Sequence, residues 1–142
     1  MKTLMEAVAL VLVAASCSTL AYFVHPKAPS FEMDAHSIAL DAARQEIGVL
    51  WVDARTQADF ERGHLEGAIL LNEERWEDLL AGFFEVWSPD AKTIVYCSSQ
   101  SCLRSHEVAA RLRDELGVDS IFALEGGWEA LVEAGLAEGG VE

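Results

Sequence analysis

The chain has 142 residues, enough for one domain with a proper hydrophobic core and a small appendage. Its formal charge is −14, and Lys2, Lys27 and Glu6 leave residues 1–30 at +1, so the remainder carries −15. So acidic a domain argues against nucleic acid and anionic headgroups as partners, because both are held by basic patches.

Residues 7–24 contain no charge. As a helix they span about 27 Å at ~1.5 Å per residue, close to the ~30 Å of a hydrocarbon core. Tyr22 and Phe23 sit near one end, where interfacial aromatics are common, and His25, Pro26, Lys27 and Pro29 stop the helix. Three readings compete: a retained membrane anchor, a cleaved secretory signal, and a lipoprotein signal in which Ala14-Ala15-Ser16-Cys17 loosely resembles a lipobox. The anchor ranks first, because the apolar run continues well past Cys17. The weak charge asymmetry then puts the N-terminus in the cytoplasm and the domain, residues 31–142, on the periplasmic or extracytoplasmic side.

Asp34 caps a predicted helix running to about Glu46, with Ile38, Leu40, Ala42, Ala43 and Ile47 as its apolar members and Gly48 at its end. Val49-Leu50-Trp51-Val52 reads as a central strand before Asp53. Thr56 opens a short helix and Gly63 closes it. Ala68 to Leu71 is a short strand, and Glu73 to about Val86 a helix with Trp76, Leu79, Leu80 and Phe83 inward. Ser88-Pro89-Asp90 makes a turn. Thr93-Ile94-Val95-Tyr96 is a buried strand that runs into Cys97. A polar loop follows, then a helix whose apolar face carries Val108, Ala109, Leu112 and Leu116, stopped by Gly117. Ser120 to Leu124 is the last strand, Gly126-Gly127 a turn, and Trp128 to Ala134 the last helix. Strands alternating with helices predict an α/β domain with a central parallel sheet covered on both faces. Ligands in such sheets bind beyond the carboxyl ends of the strands, where Asp53 and Cys97 lie.

The junction at Cys97 carries the chemistry. Backbone N–H groups at a helix start have no partners within the helix, and the helix dipole adds positive charge there. Such a loop is an anion site, and it lowers the pKa of a cysteine placed in it. Arg104 can add a full charge and a forked donor for an oxyanion. The opposing reading is that Cys97 is simply the last buried residue of a strand, and the residues alone leave both open. Cys17, Cys97 and Cys102 are too few for a disulfide framework. The C-x4-C spacing of Cys97 and Cys102 fits neither a zinc ribbon nor a C-x-x-C redox pair, and histidines do not cluster, so no metal is expected. Without a glycine-rich nucleotide motif, no cofactor is expected either.

Val52-Asp53-Ala54-Arg55, Phe60 and Gly63-His64-Leu65-Glu66-Gly67-Ala68-Ile69 resemble the first signature of rhodanese-like domains. Tyr96-Cys97 with the loop to Arg104-Ser105 resembles their active-site loop, and Glu125-Gly126-Gly127-Trp128 their closing turn. The resemblance covers roughly residues 33–135. It implies a single α/β domain and a sulfurtransferase. Cys97 would take sulfane sulfur from a donor such as thiosulfate or a persulfide, hold it as a persulfide, and pass it to a thiol or cyanide. Ser98, Ser99, Gln100, Ser101, Cys102 and Leu103 would cradle the outer sulfur, and Arg104 would neutralise the donor's oxyanion. Arg104 stands seven residues after Cys97, whereas the commonest rhodanese loop has its arginine at five and the related phosphatases and arsenate reductases at six. No glycine lies between, and Glu66 replaces a frequent proline. A wider cradle, less suited to thiosulfate, is implied.

Cys102 opens an alternative: attack on a persulfide or sulfenate at Cys97 to close a disulfide, as a thiol–disulfide or oxyanion-reducing enzyme would do. Its plainer role is to fill the longer loop. A third reading is a non-catalytic rhodanese module that binds a partner. Asp53 and Arg55 are read as an ion pair bracing the sheet's rim. His64 is read as a turn histidine satisfied by backbone, His106 as exposed, and the four tryptophans as core.

Overall fold

The computed structural model describes residues 35–98 and 102–138. The apolar 7–24 segment lies outside the described residues, as does Asp34. Among the described residues no helix is long and apolar enough to cross a membrane.

The strands are β1 (Ser37–Ile38), β2 (Leu50–Asp53), β3 (Ile69–Leu70), β4 (Thr93–Tyr96) and β5 (Ile121–Leu124). The helices are α1 (Leu40–Ala43), α2 (Gln57–Arg62), α3 (Trp76–Val86), α4 (Cys102–Leu116) and α5 (Gly127–Glu133), with one 3-10 turn, Glu73–Arg75, leading into α3. The five strands form one sheet in the order β1-β5-β4-β2-β3, and every pairing is parallel. β4 is central: Val95 pairs with Val52 on one side and Ala123 on the other, and Asp53 stands opposite Tyr96.

The alternation of side chains along a strand sorts the core into two layers. Val95 and Cys97 face Trp76 and Phe83 of α3 and Val108, Ala109 and Leu112 of α4. Ile94 and Tyr96 face the other way, toward Leu65, Ala68 and the Trp128 and Leu131 side chains of α5. All four β4 residues are buried, which accounts for their unbroken apolar run. Thr56 caps α2 as expected, its Oγ1 accepting from the Asp59 N–H at 3.2 Å. Gly117 follows α4 at φ +65°, its N–H bonded to the Arg113 carbonyl.

One element departs from expectation. The predicted helix from Asp34 to Glu46 is instead a two-residue strand and a four-residue helix. Ser37 and Ile38 pair with Ala123 and Leu124, and the Ala123 and Glu125 N–H groups donate to the His36 and Ile38 carbonyls. Left alone, β5 would present a bare edge there, and pairing it outweighs a modest helical preference. The helix ends at Arg44, so Ile47, expected on its apolar face, is 98% exposed. α4, by contrast, begins early, at Cys102.

Candidate active site at the end of the central strand

β4 carries Cys97 out at its carboxyl end, where the residue is 1% exposed. The alternation on β4 turns Sγ toward α4, where it lies 3.3 Å from Ser105 Oγ and 3.2 Å from the Ser98 carbonyl oxygen. The backbone is held from the opposite side. The Trp128 N–H donates to the Cys97 carbonyl at 2.7 Å. Gly127, at φ +53°, passes so close that a Cβ there would collide with that carbonyl. This is the physical reason for a glycine in the closing turn.

Of the loop expected to cradle sulfur, Ser98 is half-buried, and Ser99, Gln100 and Ser101 lie outside the described residues. Cys102 is the first residue of α4, and Leu103 and Arg104 belong to its first turn. Leu103 is 73% exposed. The stretch between strand and helix is therefore shorter than expected. Cys102 holds the place, five residues on, at which the commonest rhodanese loop carries its arginine. Arg104 follows two residues later, about 200° further round the helix at ~100° per residue.

Arg104 lines an open cleft of about 240 Å³ whose apolar wall is Ala54 and Val108, two residues that also pack with Cys97. Glu73, Glu74 and Glu107 line the same cleft. Asn72 fixes its shape: Nδ2 donates to the Arg55 carbonyl at 2.9 Å, and Oδ1 accepts from the Arg75 N–H at 3.0 Å, capping the 3-10 turn. The three glutamates, Asn72 and Ser105 were not singled out by the sequence. Ser105 could have been found, because it sits three residues before Val108 on the buried face of α4.

Asp53 and Arg55 form the expected ion pair, with Arg55 Nη2 2.7 Å and Nε 3.1 Å from Asp53 Oδ2. Both are buried. Arg55 also donates to the Gly63 carbonyl at 2.7 Å, and its guanidinium lies 3.8 Å over the Trp128 ring. Burial pulls the Arg55 pKa down, but the hydrogen bond and charge of Asp53 outweigh it and hold the group above its ordinary value. Tyr96 Oη accepts from the Leu65 N–H at 3.2 Å. Burial first, then the Asp53 charge, push the Tyr96 phenol well above its ordinary range. Tyr96 and Trp128 belong to the core layer on the sheet face away from Sγ, while Arg55 also lines the cleft with Arg104.

His64 is held as expected, with Nδ1 2.9 Å from the Phe60 carbonyl and its ring stacked on Phe60. His106 is half-buried rather than exposed. Trp76 and Trp128 are buried, and Trp51 and Trp87 half-buried against the two core layers. Among the described residues no cluster of His, Cys, Asp or Glu is placed to hold a metal.

Residues 38–134 match the family model of the rhodanese-like domain. The chain belongs to the rhodanese-like domain family. No curated protein matches it. Among solved structures, this rhodanese-like chain is similar to a protein of Bacillus halodurans at 21% identity, over 73% of this chain and 77% of that one, TM-score 0.57. A rhodanese-related protein of Thermoplasma volcanium matches at 23% identity, over 70% and 93%, TM-score 0.54. A thiosulfate sulfurtransferase of Pseudomonas aeruginosa matches at 25% identity, TM-score 0.55, over 73% of this chain but only 19% of that longer protein. The first two likenesses concern the fold.

Proposed function

We propose that this rhodanese-like domain is a sulfurtransferase that works through a persulfide on Cys97. The observation that carries the reading is the placement of Cys97. It follows the central strand and stands five residues before the first residue of a 15-residue helix, in a chain of this family. The Cys97 thiolate attacks the sulfane sulfur of a donor R–S–S⁻. The new bond is Cys97 S–S, the donor's S–S bond breaks, and RS⁻ leaves. An acceptor thiolate then attacks the terminal sulfur, and Cys97 departs as thiolate, so the protein is neither oxidised nor reduced overall. The first N–H groups of α4, at Cys102 and Leu103, supply donors for the outer sulfur.

Two arginines line the cleft, but Arg55 is paired to Asp53, and Arg104 stands among three carboxylates in a chain of charge −14. A thiosulfate dianion meets repulsion there that a singly charged or neutral organic persulfide largely escapes. We therefore assign the donor as a persulfide and the acceptor as a thiol. Residues 7–24, retained as a helix, would tether the domain to a membrane on its extracytoplasmic side.

Intact mass of the full chain, in detergent, after incubation with an organic persulfide tests this. One added sulfur is expected on the wild type and on Cys102→Ser, and none on Cys97→Ser. Loss of uptake in both variants, with Cys97 and Cys102 linked in a non-reducing digest, would replace sulfur transfer with thiol–disulfide chemistry. No uptake by any form would leave a non-catalytic module.

A further inference from the structure

Two of the polar groups around Cys97 Sγ differ in what they can do. The Ser98 carbonyl at 3.2 Å can only accept, so it suits a thiol S–H and opposes a thiolate. The Ser105 hydroxyl at 3.3 Å can accept from S–H or turn and donate to S⁻. It is the one of these two that can follow the sulfur through ionisation. Ser105 is also 1% exposed, so bulk water does not compete for its O–H, and a hydrogen bond to a charged acceptor gains strength away from water. Its aim is fixed by the helix. Ser105 shares the buried face of α4 with Val108, Ala109 and Leu112, and β4 turns Cys97 toward that same face.

We propose that Ser105 is the positioning residue that holds the Cys97 sulfur as a thiolate, and that it keeps the inner sulfur oriented once a persulfide has formed. Only the second half rests on the sulfur-transfer reading. The charged and titratable groups on the elements around Cys97 include Asp53 at the end of β2 and Arg55 just after it, Glu73, Glu74 and Arg75 of the 3-10 turn, Tyr96 beside it, Arg104, His106 and Glu107 early in α4 with Arg111, Arg113, Asp114 and Glu115 further along, and Glu125 and Glu129 at the closing turn. A change confined to Ser105 leaves all of them in place.

The test is the pH dependence of iodoacetamide labelling at Cys97 in the full-length protein. Fragment ions of the tryptic peptide 93–104 separate Cys97 from Cys102. Loss of a hydrogen bond to a charged group should raise the labelling midpoint of Ser105→Ala by about one to two pH units. Ser105→Thr keeps the hydroxyl and should titrate within about half a unit of wild type. If the alanine variant melts below the assay temperature, the same comparison run at a temperature below its melting point carries the same expectation. A profile for Ser105→Ala that overlays the wild type overturns the proposal. So does an equal shift in Ser105→Thr, which would trace the effect to packing. The readout needs no turnover. A protein that takes up no sulfur yet shows the alanine shift would lose the sulfurtransferase assignment and keep this one.

Discussion

Replacing Gly127 with alanine probes the contact on which the site's geometry turns. Gly127 has φ +53°, and its Cβ would collide with the Cys97 carbonyl, a backbone atom that cannot rotate aside. The left-handed conformation alone costs about 1–2 kcal/mol for a residue with a Cβ. Relieving the collision must also lengthen the 2.7 Å bond from the Trp128 N–H, leaving a buried carbonyl short of its donor, at about 1–3 kcal/mol. The total is about 3 kcal/mol, or a melting temperature lower by roughly 12–24 °C for a domain of this size. Gly126→Ala is the matched control. Its φ is +74°, but its Cβ would meet only the Ala130 methyl, at 3.0 Å. It should therefore lose the strain, about 1–2 kcal/mol, together with a small cost for crowding that one methyl, and leave Cys97 labelling unchanged. Differential scanning fluorimetry beside Cys97 labelling measures both effects. Equal losses in the two variants would refute the argument, because the Cys97 contact would then add nothing to glycine's conformational freedom.

Asp53→Ala strands the buried Arg55 guanidinium and should destabilise by about 3–5 kcal/mol in urea unfolding, whereas replacing both with apolar residues of similar volume should recover much of the loss; a single-variant loss under about 1 kcal/mol would contradict this. Tyr96 titrates higher when folded than its ordinary value of 10.0, so the folded state keeps a proton that the unfolded chain releases. That contribution is intact below pH 10 and drains as pH rises beyond it. The urea midpoint should fall above that pH in the wild type and fall less steeply in Tyr96→Phe; identical slopes would exclude Tyr96 as the source.

Much of this architecture could be read from the chain because local preference and tertiary demand agree. The four buried residues of β4, the Thr56 cap and the Trp76 and Phe83 stripe of α3 each announce themselves within a few residues. Ser37 and Ile38 do not, because what makes them a strand is the open edge of β5, more than 80 residues away. The site divides in the same way. Cys97 and Arg104 are legible as residue types before and within a helix start. The acidic wall of Glu73, Glu74 and Glu107 comes from two segments that meet only when folded. Ser105 was overlooked for a different reason: its residue type suggests surface, although its spacing from Val108 on the apolar face already placed it inward.

The two halves of the site meet in a single residue. The side chain of Cys97 belongs to the α4 layer, with Ser105, Ala54 and Val108. Its carbonyl belongs to the other side, bonded to Trp128, whose ring carries Arg55, which is paired to Asp53. A trans peptide points its N–H opposite its carbonyl, and no cis bond occurs among the described residues. Holding the Cys97 oxygen toward α5 therefore directs the Ser98 N–H away from α5 and fixes how the chain enters the loop. The Asp53–Arg55 pair and the contacts of Gly127 and Trp128 with the Cys97 carbonyl can thus govern the loop without touching a substrate. Their substitutions should change stability and loop entry together, while Ser105 should change the sulfur's ionisation with little change in stability.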